Sequence, residues 1–387
     1  MRKIGIILNS MPYVGGTFQY NETILDALNY IKNRNVDIEI VAAYDNMLWK
    51  KYLDKYDFKK IKLNLQIDES YIDNLSVEEI RNVFPKVHSG ANKMLNENCS
   101  VWICPSQDLW SFILKAPTIS TIHDLMHRYE SRFPEVSSDG EFEIREYLYS
   151  NMCKYSKRIL VDSSCGKEQV IESYAVDPNN IEVLPFIPPK YIMESRDNEN
   201  ISKKYNINGK YIFYPAQFWK HKNHINLVRA LSMVKETVPD ISLVLSGSTK
   251  YNGYEPVLEE IKKLKLSNDV KILGYIAEED IASLYKNSEM LIMPTFFGPT
   301  NIPPLEAMVL RCPMAVSNIY GMPEQLGKAS LYFNPNSPEE IAKCIICVLK
   351  NDEIRKELVE NCSKEVLKFS NEIFCNKLYK IIEEICI

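Results

Sequence analysis

No basic field, no apolar stretch of membrane-spanning length, no low-complexity block and no short internal repeat marks the 387 residues of this chain. Each absence excludes a class. A net charge of −5 gives no reason to expect a nucleic-acid partner, whose phosphates call for a concentrated lysine and arginine surface. The apolar run behind Met1-Arg-Lys is far too short for a secretion signal or a spanning helix and reads as a first strand, so the expected location is the cytoplasm. The ten cysteines have no regular spacing, and a disulfide framework is not expected. Cys344 and Cys347 make a CxxC inside the helix-like stripe Glu340 to Leu349 and read as core packing, because redox pairs open a helix after a strand. The GxGxxG fingerprint, the GxSxG elbow, HExxH, Cys/His zinc spacing and the P-loop are all missing, and no metal is expected.

What is present is a soluble globular composition, 45% hydrophobic and 25% charged, at a length that suggests two domains. β-like runs at Lys3 to Asn9, Ile38 to Ala43, Val101 to Cys104, Thr118 to His123, Arg158 to Asp162 and Ile181 to Leu184 are interleaved with helical stretches such as Phe18 to Lys32. The second half repeats the habit at Tyr211 to Ala216, Ser242 to Ser246, Val270 to Leu273, Met290 to Met293 and Met314 to Ser317, with a helix at Ile225 to Thr237. Strand and helix in alternation predict α/β architecture: two doubly wound, Rossmann-like domains with parallel sheets, residues 1–190 and 205–370. The proline-stiffened and then polar stretch at 186–204 reads as the hinge, and 371–387 as an amphipathic helix that packs back on the first domain. Basic and aromatic residues interleave from Trp49 to Leu63. They read as a solvated lysine face over a small apolar cluster, with an anionic membrane or a charged acceptor as the alternative.

The most informative segment is Met293-Pro-Thr-Phe-Phe-Gly-Pro-Thr-Asn-Ile-Pro-Pro-Leu-Glu-Ala-Met308, a buried strand that empties into a loop and then a helix start. Pro303-Pro304 suits a first helical turn, and Glu306 is placed in that turn beside unpaired backbone N–H groups. A carboxylate and free amides at the C-terminal edge of a parallel sheet can hold a polar, phosphate-bearing ligand. Lys220, His221, Lys222 and His224 follow another strand and concentrate the positive charge a pyrophosphate needs, and Ser246-Gly-Ser-Thr249 ends the next strand. In the first half, Gly15-Gly16 sits between strand and helix, where it is either a tight turn or a phosphate cradle. His123-Asp124 ends a strand at the edge where ligands of open α/β sheets sit, and His127 and Arg128 just beyond read as loop caps, with contact to an acceptor as the alternative.

The run from Pro294 to Met308, the basic loop Gln217 to Lys222, the Leu273-Gly274 strand end and the Gly15-Gly16 loop together resemble the GT4 family of retaining glycosyltransferases with the GT-B fold, over nearly the whole chain. That resemblance implies two domains facing a cleft, a donor site in the second and an acceptor site mainly in the first. Glu306 would accept hydrogen bonds from the nucleotide ribose, and Lys222 would neutralise the donor pyrophosphate. The loop around Thr300, Asn301 and Ile302 would hold the donor sugar, with Gln217 and Ser248 at the phosphates. Gly15 and Gly16 would approach the phosphates, and His123 would sit near the reacting sugar. The implied partners are a UDP- or GDP-hexose donor, which is a substrate and not a cofactor, and a glycan or lipid-linked acceptor, with peripheral contact at the inner membrane face. Two departures stand out. The family's paired glutamates flank seven residues, and the first of the pair falls on Gly298; the usual arginine five residues before the lysine is Gln217. A sugar-nucleotide epimerase of similar fold and a catalytically silent partner of another transferase are the alternatives.

Overall fold

A computed structural model describes residues 2–12, 15–63, 75–196 and 198–386, and the chain divides into two compact units. Tyr13 and Val14 of the glycine loop, and Asp197 of the polar stretch after the prolines, lie outside the described residues.

Unit 1 comprises Met1–Leu125, Gly140–Pro185 and Asn371–Ile387. Its strands are β1 (Arg2–Leu8), β2 (Ile38–Tyr44), β3 (Lys59–Lys62), β4 (Val101–Cys104), β5 (Thr118–Ile122), β6 (Arg158–Val161) and β7 (Ile181–Val183). They form one parallel sheet in the order β3-β2-β1-β4-β5-β6-β7. Ile4, Ile6, Ile7 and Leu8, like Val101 to Cys104, are fully buried, the mark of strands covered on both faces. The order reverses between β1 and β4, which opens a crevice at their carboxyl ends. The helix Gly15–Arg34 buries Ile24, Leu25, Leu28 and Ile31 at helical spacing. Against it packs the helix Asn371–Cys386, through Phe374, Leu378, Ile381 and Ile382.

Three of the four aromatic residues of the lysine-rich segment, Trp49, Tyr56 and Phe58, are buried, and Tyr52 is half-buried. Its lysines face outward and pair with acids, Lys50 with Asp54 at 2.9 Å, Lys55 with Glu22 at 3.6 Å and Lys59 with Glu97 at 2.7 Å. The segment is therefore a solvated basic face over an apolar cluster. Among the described residues no helix is long and apolar enough to cross a membrane.

Unit 2 comprises Met126–Asp139 and Phe186–Ser370. Its strands are β8 (Tyr211–Pro215), β9 (Ser242–Ser246), β10 (Val270–Ile272), β11 (Met290–Met293), β12 (Met314–Ser317) and β13 (Leu331–Phe333), again parallel, in the order β10-β9-β8-β11-β12-β13. Here the reversal lies between β8 and β11. The segment 126–139 joins this unit through Met126, Phe133 and Val136, which cluster with Phe297, and through Glu130, which accepts from the Tyr320 hydroxyl at 2.9 Å. All ten cysteines are free thiols, and Cys344 and Cys347 sit half-buried within the helix Pro338–Lys350.

Candidate functional site

At the carboxyl end of β8 the chain makes a short 3-10 turn, Lys220–Lys222, and enters the helix His224–Thr237 through Asn223, which adopts a left-handed conformation with φ 60°. Asparagine tolerates that conformation better than most residues. Its side-chain amide donates to the carbonyls of Pro294 and Pro335, both at 2.8 Å, and so ties the ends of β8, β11 and β13 together. The Tyr214 hydroxyl donates to the Lys222 carbonyl at 2.9 Å. Lys222 is thus held by its backbone while its half-buried side chain reaches to 3.5 Å from Asn301 Oδ1.

The positive charge of this loop is smaller than its composition suggests. His224 is buried and stacks on Phe218 with ring centroids 4.4 Å apart; burial, with Lys222 nearby, pushes its pKa down to about 3. It is neutral at pH 7 and adds no charge. His221 is paired: Glu135 Oε1 lies 3.1 Å from its Nδ1 and accepts its backbone N–H at 3.1 Å. Of the lysines, Lys222 is half-buried and Lys220 exposed to solvent.

Gln217 has a structural task. Its Oε1 accepts the Ser248 N–H at 2.6 Å, which joins the loops that follow β8 and β9. Between them Gly247, at φ +145°, brings its backbone so close that a Cβ there would lie 2.2 Å from the Ala216 carbonyl oxygen. Gly247→Ala is expected to cost about 1–3 kcal/mol through that strain, read as a lowered Tm.

The loop after β11 leads through Gly298, Pro299, Thr300 and Asn301 into the helix Ile302–Val309, with Asn301 at its N-cap. Pro303 falls within the first turn, where a missing N–H costs nothing. Glu306 lies one turn further in than its spacing predicts, and no acidic residue occupies the first turn. Its carboxylate does not cap the helix; it accepts from the hydroxyls of Tyr191 and Tyr285, the latter at 2.7 Å, and is 4% exposed. Burial raises its pKa, and the two tyrosine hydroxyls oppose that rise. Each carboxylate oxygen retains a second acceptor position.

In unit 1, Gly15 and Gly16 open the helix Gly15–Arg34, with Gly15 at φ +66° and exposed. His123 stands at the carboxyl end of β5, its Nδ1 3.3 Å from Asp162 Oδ1 and its Nε2 3.1 Å from the Pro105 carbonyl. Both partners are acceptors, so satisfying both requires a proton on each ring nitrogen. Burial works against that charge, but the Asp162 carboxylate and the Pro105 carbonyl outweigh it and hold the pKa above its ordinary value. Asp124 pairs with Arg145 at 2.9 Å, and His127 is buried in the helix Met126–Tyr129 of unit 2.

The sequence reading missed a polar cluster in the crevice of unit 1. Asn21 Nδ2 donates to Ser10 Oγ at 2.5 Å and to Ser106 Oγ at 3.3 Å, joining the segments that follow β1 and β4. Beside them Asp108 accepts the Trp110 N–H at 2.9 Å through one oxygen, while its other oxygen is buried with no partner among the described residues. Burial pushes its pKa up to about 7 against the hydrogen bonds from Trp110 and Asn9. The one signal was position, polar Ser106-Gln107-Asp108 shortly after an apolar strand; the burial of the carboxyl is not legible there. Of the residues singled out from the sequence, unit 2 collects Gln217 with Ser248 and Lys222 with Asn301, with Thr300, Ile302 and Glu306 on the adjoining loop and helix. Gly15, Gly16 and His123 belong to unit 1. Among the described residues no group of His, Cys, Asp or Glu could hold a metal ion.

Residues 197–365 match the family described as glycosyl transferases group 1. The O-antigen chain mannosyltransferase B of Escherichia coli is 28% identical over 165 residues, which cover 42% of this chain and 42% of that one. The chain therefore spans less than half the length of that curated relative. Two solved structures share the fold across the whole chain. A glycosyltransferase from Rickettsia africae ESF-5 superposes with a TM-score of 0.75 at 21% identity, covering 99% of this chain and 98% of that one. Anabaena Alr3699/HepE, solved in complex with UDP and glucose, gives 0.75 at 15% identity, covering 99% and 100%. The two doubly wound units are those of the GT-B fold.

Proposed function

We propose that this chain is a hexosyltransferase that moves a sugar from a UDP- or GDP-hexose to a glycan or lipid-linked acceptor in surface polysaccharide synthesis, with retention and without a metal or cofactor. The observation that carries the reading is the pairing of Lys222 with the Thr300–Asn301 loop at the point where the sheet of unit 2 reverses, inside the region matched by the family. Open α/β sheets bind ligands at that point. A mannosyltransferase and a structure holding UDP and glucose have a hexose in common, which supports the sugar class.

In this reading Lys222 faces the diphosphate and offsets the negative charge that grows as the nucleoside diphosphate leaves. Glu306 takes the ribose hydroxyls in its spare acceptor positions. Gly15 and Gly16 offer helix-start amides, and His123 remains the candidate of unit 1 for a catalytic role. Rate comes from positioning and electrostatics, not from a covalent nucleophile. Contact with an anionic membrane face would draw mainly on the exposed lysines between residues 50 and 62, because Tyr56 and Phe58 there are buried and Tyr52 is half-buried.

A thermal-shift screen with UDP, GDP and their hexoses tests the reading. A ligand at 100 times its Kd is expected to stabilise the native state by about 2.7 kcal/mol. Supplying glycan acceptors should then release free nucleoside diphosphate. No shift with any nucleotide would overturn the donor assignment. Isomerised sugar without an acceptor would point to an epimerase, and binding without turnover across acceptors to a silent partner.

A further inference from the structure

We propose that Glu135 is a positioning residue of the donor site in unit 2: by gripping His221 at both its backbone and its ring, it sets the turn Lys220–Lys222 in the conformation that takes a diphosphate. The proposal rests on the reading of that site as one for a nucleotide-sugar.

Glu135 reaches the turn from a separate stretch of chain, the segment 126–139, and it arrives on a fixed mount. Pro134 opens a single 3-10 turn, Pro134–Val136, with Glu135 at its centre. On either side Phe133 and Val136 are buried against Phe297. The Phe133 ring stacks on Phe296 with centroids 5.6 Å apart, and the Arg132 guanidinium lies 4.8 Å from each of those rings. Arg132 and Tyr320 both donate to Glu130, at 2.7 and 2.9 Å. The carboxylate is therefore placed by its neighbours, independently of the bonds it makes.

Those bonds go to the middle residue of the turn. Within the turn the Lys222 N–H donates to the Trp219 carbonyl and the Asn223 N–H to the Lys220 carbonyl, which leaves both backbone groups of His221 to outside partners. Its carbonyl accepts from the Phe296 N–H at 2.8 Å and the Thr295 hydroxyl at 3.3 Å. Its N–H donates to Glu135 Oε1 at 3.1 Å. The loop after β11 holds one side of the residue and Glu135 the other.

The same oxygen lies 3.1 Å from the ring Nδ1. Burial works to raise the Glu135 pKa, but the hydrogen bonds from His221 outweigh it and hold the carboxyl below its ordinary value. The group is ionised at pH 7 and only accepts, so the ring carries its proton on Nδ1. Backbone and imidazole are thus fixed by one carboxylate.

Fold stability alone gives little reason for a charge here. The Glu135 side chain is 6% exposed, and its Oε2 is buried with no partner among the described residues. A buried carboxylate with an unpaired oxygen costs free energy that a neutral acceptor would not. The hold on His221 accounts for that cost.

Ligand-observed NMR titrations with a nucleoside and with its diphosphate, uridine against UDP and guanosine against GDP, test the proposal. Glu135→Ala is expected to weaken the diphosphate about five- to tenfold while the nucleoside moves less than about twofold, because only the phosphates meet the turn. Glu135→Gln keeps an oxygen for the His221 N–H and should recover most of that loss. The Phe133, Val136 and Glu130 anchors are untouched, so both variants are expected to fold, which melting curves check. Three results would overturn the proposal: diphosphate and nucleoside weakened alike, diphosphate affinity unchanged whatever the melting temperature does, or a glutamine variant no better than the alanine one. Failure of the wild type to bind any nucleotide overturns the donor site itself, an outcome distinct from all three.

Discussion

Glu306→Gln is expected to bind UDP or GDP about 10- to 150-fold more weakly than the wild type, the equivalent of roughly 1.5–3 kcal/mol for a hydrogen bond to a charged group. The carboxylate is buried, and the hydroxyls of Tyr191 and Tyr285 already point at it. A glutamine keeps the shape but turns one of two acceptor oxygens into a donor, so one tyrosine or one ribose hydroxyl loses its partner. The fold should survive, because Tyr285 can instead donate to the Pro303 carbonyl, 3.2 Å away. Calorimetry read against a melting curve separates the two effects. An unchanged affinity would remove Glu306 from the ribose and leave it as a buried tie between the helix Ile302–Val309 and its neighbours.

Asp108→Asn is expected to flatten the pH dependence of stability. In the folded chain the Asp108 pKa is pushed up to about 7 by burial, against about 3.9 in an unfolded chain. Below about pH 3.9 the carboxyl is protonated in both states and costs nothing. As pH rises toward about 7 the unfolded state gives up a proton that the folded state keeps, and stability falls. Above about 7 both are ionised, and the accumulated loss reaches up to roughly 4 kcal/mol. An asparagine never ionises. Chemical denaturation between pH 4 and 8 should show the variant gaining on the wild type up to about pH 7 and then holding its lead. Parallel profiles would mean that Asp108 titrates like an exposed carboxylate.

The alternation of strand and helix was legible because parallel strands covered on both faces carry uninterrupted apolar runs. Val101 to Cys104, Ser242 to Ser246, Met290 to Met293 and Met314 to Ser317 are strands at the residues their composition indicates. The two strands that went unread are both at sheet edges. β3 is Lys-Lys-Ile-Lys with only Ile61 buried, and β13 is three residues long. Edge strands are short and charged, which blunts them against pairing with other chains and hides them from a search for apolar runs.

The side chains at the candidate site were harder to read than the segments that carry them. Composition made His224 a cation, but burial, with Lys222 nearby, keeps it neutral. His221 takes its partner from Glu135, 86 residues away along the chain, a contact that only tertiary packing creates. Gln217 and Gly298 stood out as departures from a pattern. Their reasons appear only in three dimensions, Gln217 as the tie to Ser248 and Gly298 as the space that Asn301 fills. Asp108 drew no notice because nothing in Ser-Gln-Asp reveals that the carboxyl is buried.

A crystal structure of the chain soaked with UDP or GDP tests the central claim most directly. The account predicts the diphosphate against the Lys222 ammonium and the ribose hydroxyls on the Glu306 carboxylate, at the carboxyl ends of β8 and β11. A nucleotide bound elsewhere on the chain, with Lys222 and Glu306 untouched, would contradict it.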